Sequence, residues 1–336
     1  MEKRITVLGA GSWGTALAIS LSSKGHKVSM WDIDEDHVNG LIKHRENKAY
    51  LPGIPFNKNL QIAATVEEGI DGAEVVVFSA PAQRFRNALE GALPFLKENM
   101  ILVNVAKGIE QKTLKRISQI AEELAPGAKY AVLSGPSHAE EVGLRMPTTV
   151  VAAAADIKLA QYVQDVFMCD WLRVYTNPDV AGVEFGGSLK NIIALGAGIS
   201  DGMGYGDNAK AAMMARGIRE MARLGVKLGA KAETFFGLSG IGDLIVTCTS
   251  MHSRNRRCGI MIGEGMKPSE ATKKVGMVVE GIFTTEAAYQ LAEGCGVDMP
   301  ITQQIYRIIK EETDASQAVK ELMTRQRKDE NEDLSW

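Results

Sequence analysis

The chain has 336 residues, more than one hydrophobic core usually fills, so two domains are expected, each large enough to bury its own apolar interior. With 38 Lys and Arg against 41 Asp and Glu the formal charge is -3, which excludes a broad basic face for nucleic acid or an anionic membrane. The strand-like start from Met1 to Gly9 is unlike a signal or transit peptide, and no apolar run reaches the roughly 18 residues of a bilayer span, so a cytoplasmic location without membrane insertion is expected.

Taken in chain order, the first half alternates β-branched runs with helical stretches. Candidate strands run from Ile5 to Leu8, Lys27 to Trp31, Val75 to Ser79, Ile101 to Val105, Tyr130 to Leu133, Thr149 to Ala152 and Leu172 to Tyr175. Several are continuously apolar, as suits strands buried on both faces.

Gly9-Ala10-Gly11-Ser12-Trp13-Gly14 stands between the first strand and the helical run from Thr15 to Ser23, the context in which G-x-G-x-x-G binds a dinucleotide. Gly9 permits the turn, Gly11 lets the backbone approach a pyrophosphate, and Gly14 lets helix and strand pack closely. The N–H groups of Ser12 and Trp13 would hold the phosphates at the helix N-terminus. Asp32 ends the second strand, where a carboxylate binds the adenosine ribose and repels a 2′-phosphate. NAD is therefore expected as cofactor, with NADP left open by Lys43 and Arg45; a solvated Asp32 is the plain alternative. A Rossmann-like, doubly wound, mostly parallel α/β sheet over residues 1–178 follows as the dinucleotide-binding domain.

Three further segments fall at carboxyl ends of predicted strands, where ligands bind in open α/β sheets. They are Ser79 to Gln83, bordering the nicotinamide side, the turn carrying Lys107, and Ser134-Gly135-Pro136-Ser137-His138. In the last, Ser137 and Glu140 read as a capping box that would present N–H groups to an anion, although a plain helix start fits as well.

From about Asp179 strands give way to helical stretches, predicting an all-α domain over residues 179–336 with helices near Val183 to Leu195, Asn208 to Leu228, Thr285 to Glu293 and Thr302 to Glu312. Asp207 is expected to cap the second of these. Lys190 and Asn191 sit in an apolar or small-residue helix, where burial or a nearby Lys107 would lower the amine pKa and make it usable as a base; a snorkelling surface lysine is the alternative. Gly240-Ile241-Gly242-Asp243 leads to Thr247 and then to Ser253-Arg254-Asn255-Arg256-Arg257, which reads either as a phosphate clamp or as a solvated basic turn. Cys169, Cys248, Cys258 and Cys295 lack C-x-x-C or His spacing, so free thiols and no metal site are expected. The charged tail from Arg325 to Trp336 is expected to fray.

Seven ordered segments together resemble the soluble NAD(P)-dependent glycerol-3-phosphate dehydrogenases: the glycine motif, Lys107-Gly108, Ser134-Gly135-Pro136-Ser137, Leu189-Lys190-Asn191, Gly242-Asp243-Leu244, Arg254-Asn255-Arg256 and Val279-Glu280-Gly281. The resemblance runs from Gly9 to about Pro300 and implies interconversion of glycerone phosphate and sn-glycerol 3-phosphate. It implies Lys190 as general acid/base, Lys107 polarising the carbonyl and also near the cofactor, and Asn191, Asp243 and Thr247 orienting substrate and lysines. Ser253, Arg254 and Asn255 would clamp the phosphate with help from Gly135 and Ser137, while Ala139, Val278, Glu280 and again Arg254 would touch the cofactor. A homodimer and a role in phospholipid synthesis are implied too. Asp32 departs from relatives that carry basic or imidazole groups there. The competing readings are a dehydrogenase of 3-hydroxy acids or phosphogluconate, against which Lys107 and the Arg254-Asn255 pair argue, and a non-catalytic dinucleotide sensor.

Overall fold

The computed structural model describes residues 2–330 and divides into two units. One holds the chain up to Ala106 together with Ile117–Val180; the other holds Lys107–Arg116 and the chain from Ala181 onward.

The first unit is built on eight strands: β1 (Arg4–Leu8), β2 (Lys27–Trp31), β3 (Leu60–Ile62), β4 (Val75–Phe78), β5 (Ile101–Asn104), β6 (Lys129–Ser134), β7 (Thr148–Ala153) and β8 (Leu172–Asn177). Their order across the sheet is β8-β7-β6-β5-β4-β1-β2-β3, and all neighbours are parallel except β6 and β7. Alternation along the strands decides the faces. Ile5, Val7, Val75, Val77, Val103 and Leu133 enter one apolar layer with the helix Ser12–Ser23, whereas Leu8, Val76, Phe78 and Leu102 enter the opposite layer with Phe85, Leu89 and Ile120. The expected α/β sheet is thus present, and the sequence reading missed the three-residue edge strand β3 and the two-stranded ribbon of Glu46–Asn47 with Leu51–Pro55, both too short to show a period.

The second unit is helical. Val180–Gly202 and Glu280–Cys295 span two of the four expected helices, Asp207–Lys227 and Pro300–Ile309 match the other two but end before the expected Leu228 and Glu312, and Asp243–Thr249, Arg254–Gly263, Pro268–Val275 and Ala315–Met323 complete the larger ones. Val180–Gly202 is buried almost throughout, which explains its lack of a polar face. It crosses Arg254–Gly263 at backbone contact distance: a Cβ on Gly198 would overlap the Arg256 carbonyl oxygen, and one on Gly259 the Leu195 carbonyl oxygen.

Two helix starts differ from expectation. Gly206, in extended backbone, is the N-cap that Asp207 was expected to be, and Asp207 becomes the first helical residue, where its charge still favours the positive helix end. The helix Ala139–Gly143 begins one residue late for a capping box, with His138 as N-cap and no side-chain cap bond. Ser137 Oγ instead donates to the Gly135 carbonyl oxygen at 2.8 Å. Of the tail expected to fray, residues 331–336 lie outside the described residues, while Arg325 and Lys328 pair with Asp298 at 2.9 and 3.1 Å. Among the described residues no single helix is long and apolar enough to cross a membrane.

Candidate active site

In the first unit β1 delivers the glycine turn to the start of the helix Ser12–Ser23. Gly9 has φ +106°, and a Cβ there would lie 2.9 Å from the Ser79 carbonyl carbon; a Cβ on Gly14 would overlap the Gly9 carbonyl oxygen. Gly11 is different, because a Cβ there meets nothing within 4 Å, leaving open space above the turn. Gly11 is also the N-cap, and no side chain bonds to the helix N-terminus at Ser12 and Trp13. The buried Trp13 indole N–H has no hydrogen-bond partner among the described residues. An anion-binding helix end with room above it fits the pyrophosphate of a dinucleotide.

Asp32 stands at the end of β2 as expected, and its oxygens already accept from the Ala10 N–H at 2.6 Å and the Asp34 N–H at 3.2 Å. The carboxylate therefore shapes the glycine turn while keeping lone pairs for a ribose hydroxyl. Sequence reasoning missed the other supports of that turn. Asn47 Nδ2 donates to the Ala10 carbonyl and to Thr15 Oγ1, both at 2.8 Å, and His37 Nε2 lies 3.1 Å from the same carbonyl. Nothing in a lone Asn 37 residues from Ala10 signals this contact. Elsewhere in this unit, Gly135 follows the last residue of β6 with φ +128°, beside Ser137, and Ala139 opens the buried end of the next short helix.

In the second unit one carboxylate joins two lysines. Asp243, 1% exposed, accepts from Lys107 Nζ through Oδ2 at 2.7 Å and from Lys190 Nζ through Oδ1 at 2.6 Å. Asp243 is the first residue of its helix, directly after the wide turn Leu238–Gly242, where the positive helix end also favours an anion. Gly186 admits this turn, since a Cβ there would lie 2.7 Å from the Ser239 carbonyl oxygen. Lys190 also donates to Thr247 Oγ1 at 2.7 Å, and the Thr247 hydroxyl donates to the Asp243 carbonyl oxygen at 2.6 Å. A charged Lys190 has three protons, and these two bonds leave one for a ligand.

The electrostatics follow from burial. Desolvation lowers the Lys190 amine from 10.5 to about 8, reinforced by the Lys107 charge and opposed by Asp243. Burial pushes the Asp243 carboxyl up, but the two lysines outweigh it and hold it below its ordinary value. The expected snorkelling alternative for Lys190 is therefore excluded, as the residue is 5% exposed. Cys248, on the same helix as Asp243, is pushed up to about 12 by burial and is no nucleophile.

A second chain of bonds runs through two asparagines. Gly281 N–H donates to Asn255 Oδ1 at 2.8 Å, Asn255 Nδ2 to Asn191 Oδ1 at 2.9 Å, and Asn191 Nδ2 to the Lys107 carbonyl oxygen at 3.3 Å. Asn255, read from sequence only as a clamp residue, thereby ties the helix start at Glu280 to the lysine segment; Val278 beside it is exposed. Ser253 caps the helix Arg254–Gly263 by accepting from the Arg256 N–H at 3.2 Å, and Arg254 is exposed at its first position. Arg256 is spent on Asp201, at 2.7 and 2.8 Å.

Comparisons with known proteins give the family. Residues 4–160 match the family described as NAD-dependent glycerol-3-phosphate dehydrogenase N-terminus, and residues 179–320 match its C-terminus. A glycerol-3-phosphate dehydrogenase (NAD(P)+) of Pelotomaculum thermopropionicum is 52% identical over 338 residues, covering 100% of this chain and 97% of that protein. A protein of the same name from Moorella thermoacetica is 52% identical over all of both chains. The crystal structure of glycerol-3-phosphate dehydrogenase from Coxiella burnetii superposes with a TM-score of 0.93 at 38% identity, covering 96% of this chain and 99% of that one. Matched along nearly its whole length by both family models and by full-length relatives, the chain belongs to the NAD-dependent glycerol-3-phosphate dehydrogenase family.

Proposed function

We propose that the chain interconverts glycerone phosphate and sn-glycerol 3-phosphate with NAD(P)H, using Lys190 as the acid/base. The observation that carries this reading is the Lys107–Asp243–Lys190 array, in which one buried carboxylate holds two amines and burial lowers the Lys190 amine to about 8.

A dinucleotide held by its pyrophosphate at the glycine turn would supply or take the hydride through its nicotinamide. In reduction Lys107 withdraws electron density from the substrate carbonyl oxygen, and Lys190 gives that oxygen a proton as hydride reaches the carbon. In oxidation the neutral Lys190 amine takes the hydroxyl proton as hydride leaves. Asp243 holds both ammonium groups in fixed directions, and Thr247 and Asn191 fix Lys190 and the Lys107 backbone. For the phosphate we assign Arg254 and the remaining Asn255 amide N–H, with Ser253 fixing the helix start; Gly135 and Ser137 are further contacts drawn from the family resemblance. Ala139, Val278 and Glu280 are assigned to the cofactor on the same ground. The domain boundary near residue 178, a cytoplasmic homodimer and supply of glycerol 3-phosphate for phospholipid synthesis complete the reading.

The test is the initial rate of NADH and NADPH oxidation with glycerone phosphate and, in parallel, unphosphorylated dihydroxyacetone. Fast oxidation that requires the phosphate is expected, with NADH preferred if Asp32 repels the 2′-phosphate. Cofactor binding without turnover of any phosphorylated ketone would instead support a dinucleotide sensor.

A further inference from the structure

The segment Lys107–Arg116 leaves the sheet-bearing unit and belongs to the helical one, so the Lys107 backbone is held by whatever anchors this excursion. Its return is closed by an antiparallel bridge between Ile109 and Arg116, with Glu110 N–H donating to the Lys115 carbonyl at 3.0 Å. Leu114, which donates to the Glu110 carbonyl, takes φ +59°, an uncommon conformation for a branched side chain that only firm anchoring maintains.

Besides the Asn191 bond to the Lys107 carbonyl oxygen, three anchors hold the excursion. Ile109 is fully buried in the helical core. Gln111 Nε2 donates to Glu286 Oε2 at 2.8 Å. At the far end Arg116 Nη1 donates to Glu184 Oε2 at 2.6 Å, with the guanidinium 5.4 Å from the Phe185 ring centroid. Glu184 is 3% exposed in its side chain and shares the helix Val180–Gly202 with Lys190.

We infer that Arg116, through its ion pair with Glu184, is a positioning residue for Lys107, tying the excursion that carries one active-site lysine to the helix that carries the other. A lysine has a long flexible stem, and its ammonium is aimed at Asp243 only as well as its backbone is held. Burial has the largest effect on the Lys190 charge, and the titratable groups that act on it are Asp243 and Cys248 from the helix Asp243–Thr249 and Lys107 from the excursion. A loosened Lys107 removes the one cation among them, so the Lys190 amine holds its proton to higher pH.

The inference rests on Lys190 as acid/base, and its test is the pH profile of kcat/KM for glycerone phosphate reduction by the full chain. In the Arg116→Ala/Glu184→Gln double variant, which removes both charges of the pair, the rate at neutral pH falls about tenfold. The KM for NADH is unchanged, and the alkaline limb moves up by about one unit. Arg116→Lys, which keeps a cation for Glu184, returns the limb toward wild type. Gln111→Ala loosens the excursion at a partly exposed anchor and moves the limb in the same direction; it decides alone if the double variant does not fold. A limb unmoved in the variants that fold overturns the inference even if the rate falls, because a merely structural lesion lowers rate without changing a pKa. Absence of wild-type turnover would strike the proposed function instead.

Discussion

Asp243 accepts from two lysines through two different oxygens, and this single carboxylate determines both the aim and the charge of the pair. Removing Lys190 should leave the glycine turn untouched, so Lys190→Met is expected to bind NADH with unchanged affinity and lose about a thousandfold in turnover. Turnover near wild type in a fluorescence-titrated, fully folded variant would refute the acid/base role. Asp243→Asn withdraws the charge that favours protonated Lys190, so the amine pKa should fall and the alkaline limb of reduction should move to lower pH. Part of this was readable in the residues themselves: Lys190 among apolar and small neighbours raised burial beside the snorkelling alternative, and the structure decides for burial. The bridge itself was not, because Lys107 and Asp243 are 136 positions apart and no spacing rule links them. The same limit hid the Asn255–Asn191 bond, whose partners are 64 positions apart.

At the scale of elements, the site depends on two helices that touch through glycines. Gly198 and Gly202 on Val180–Gly202 face Gly259 and Gly263 on Arg254–Gly263, and added methyl groups would overlap partner backbone. This contact brings Asn255 to Asn191. Gly259→Ala is expected to cost about 2 kcal/mol in urea unfolding. Gly294→Ala, in an exposed helical position with nothing within 4 Å of the new methyl, should instead stabilise by about 0.5 kcal/mol. Equal effects of the two would contradict the close crossing. Strands and long helices were legible because their periods are sustained over many residues. Short starts were not: the Ser137 capping box failed because its hydroxyl closes onto Gly135, and Asp207 lost the cap to Gly206, whose extended backbone starts the helix one residue earlier.

At the scale of the whole molecule, two buried groups outside ordinary titration ranges shape stability. Glu220 accepts from the Ile301 and Thr302 N–H groups at 2.7 and 3.1 Å at the start of Pro300–Ile309, and burial raises its carboxyl from 4.5 to about 7. A raised acid binds more protons in the folded state, so its stabilising contribution is present below pH 4.5 and is lost as pH rises through about 7. Glu220→Gln should therefore gain stability relative to wild type between pH 5 and 8 in thermal melts; a constant difference would contradict the shift. Lys190, lowered to about 8, works in the opposite sense, destabilising below that pH and relaxing as pH climbs toward 10.5. Glu220 gave no sequence signal, since an isolated acid in a helix of mixed polarity ordinarily faces solvent.

The most direct test of Lys190 is a pair of pH-rate profiles on the wild-type chain, one for glycerone phosphate reduction and one for glycerol 3-phosphate oxidation. With Lys190 as the shared acid and base, reduction falls and oxidation rises through the same midpoint near pH 8, and both limbs vanish in Lys190→Met. Limbs that persist in Lys190→Met would place the proton on another group and contradict the account.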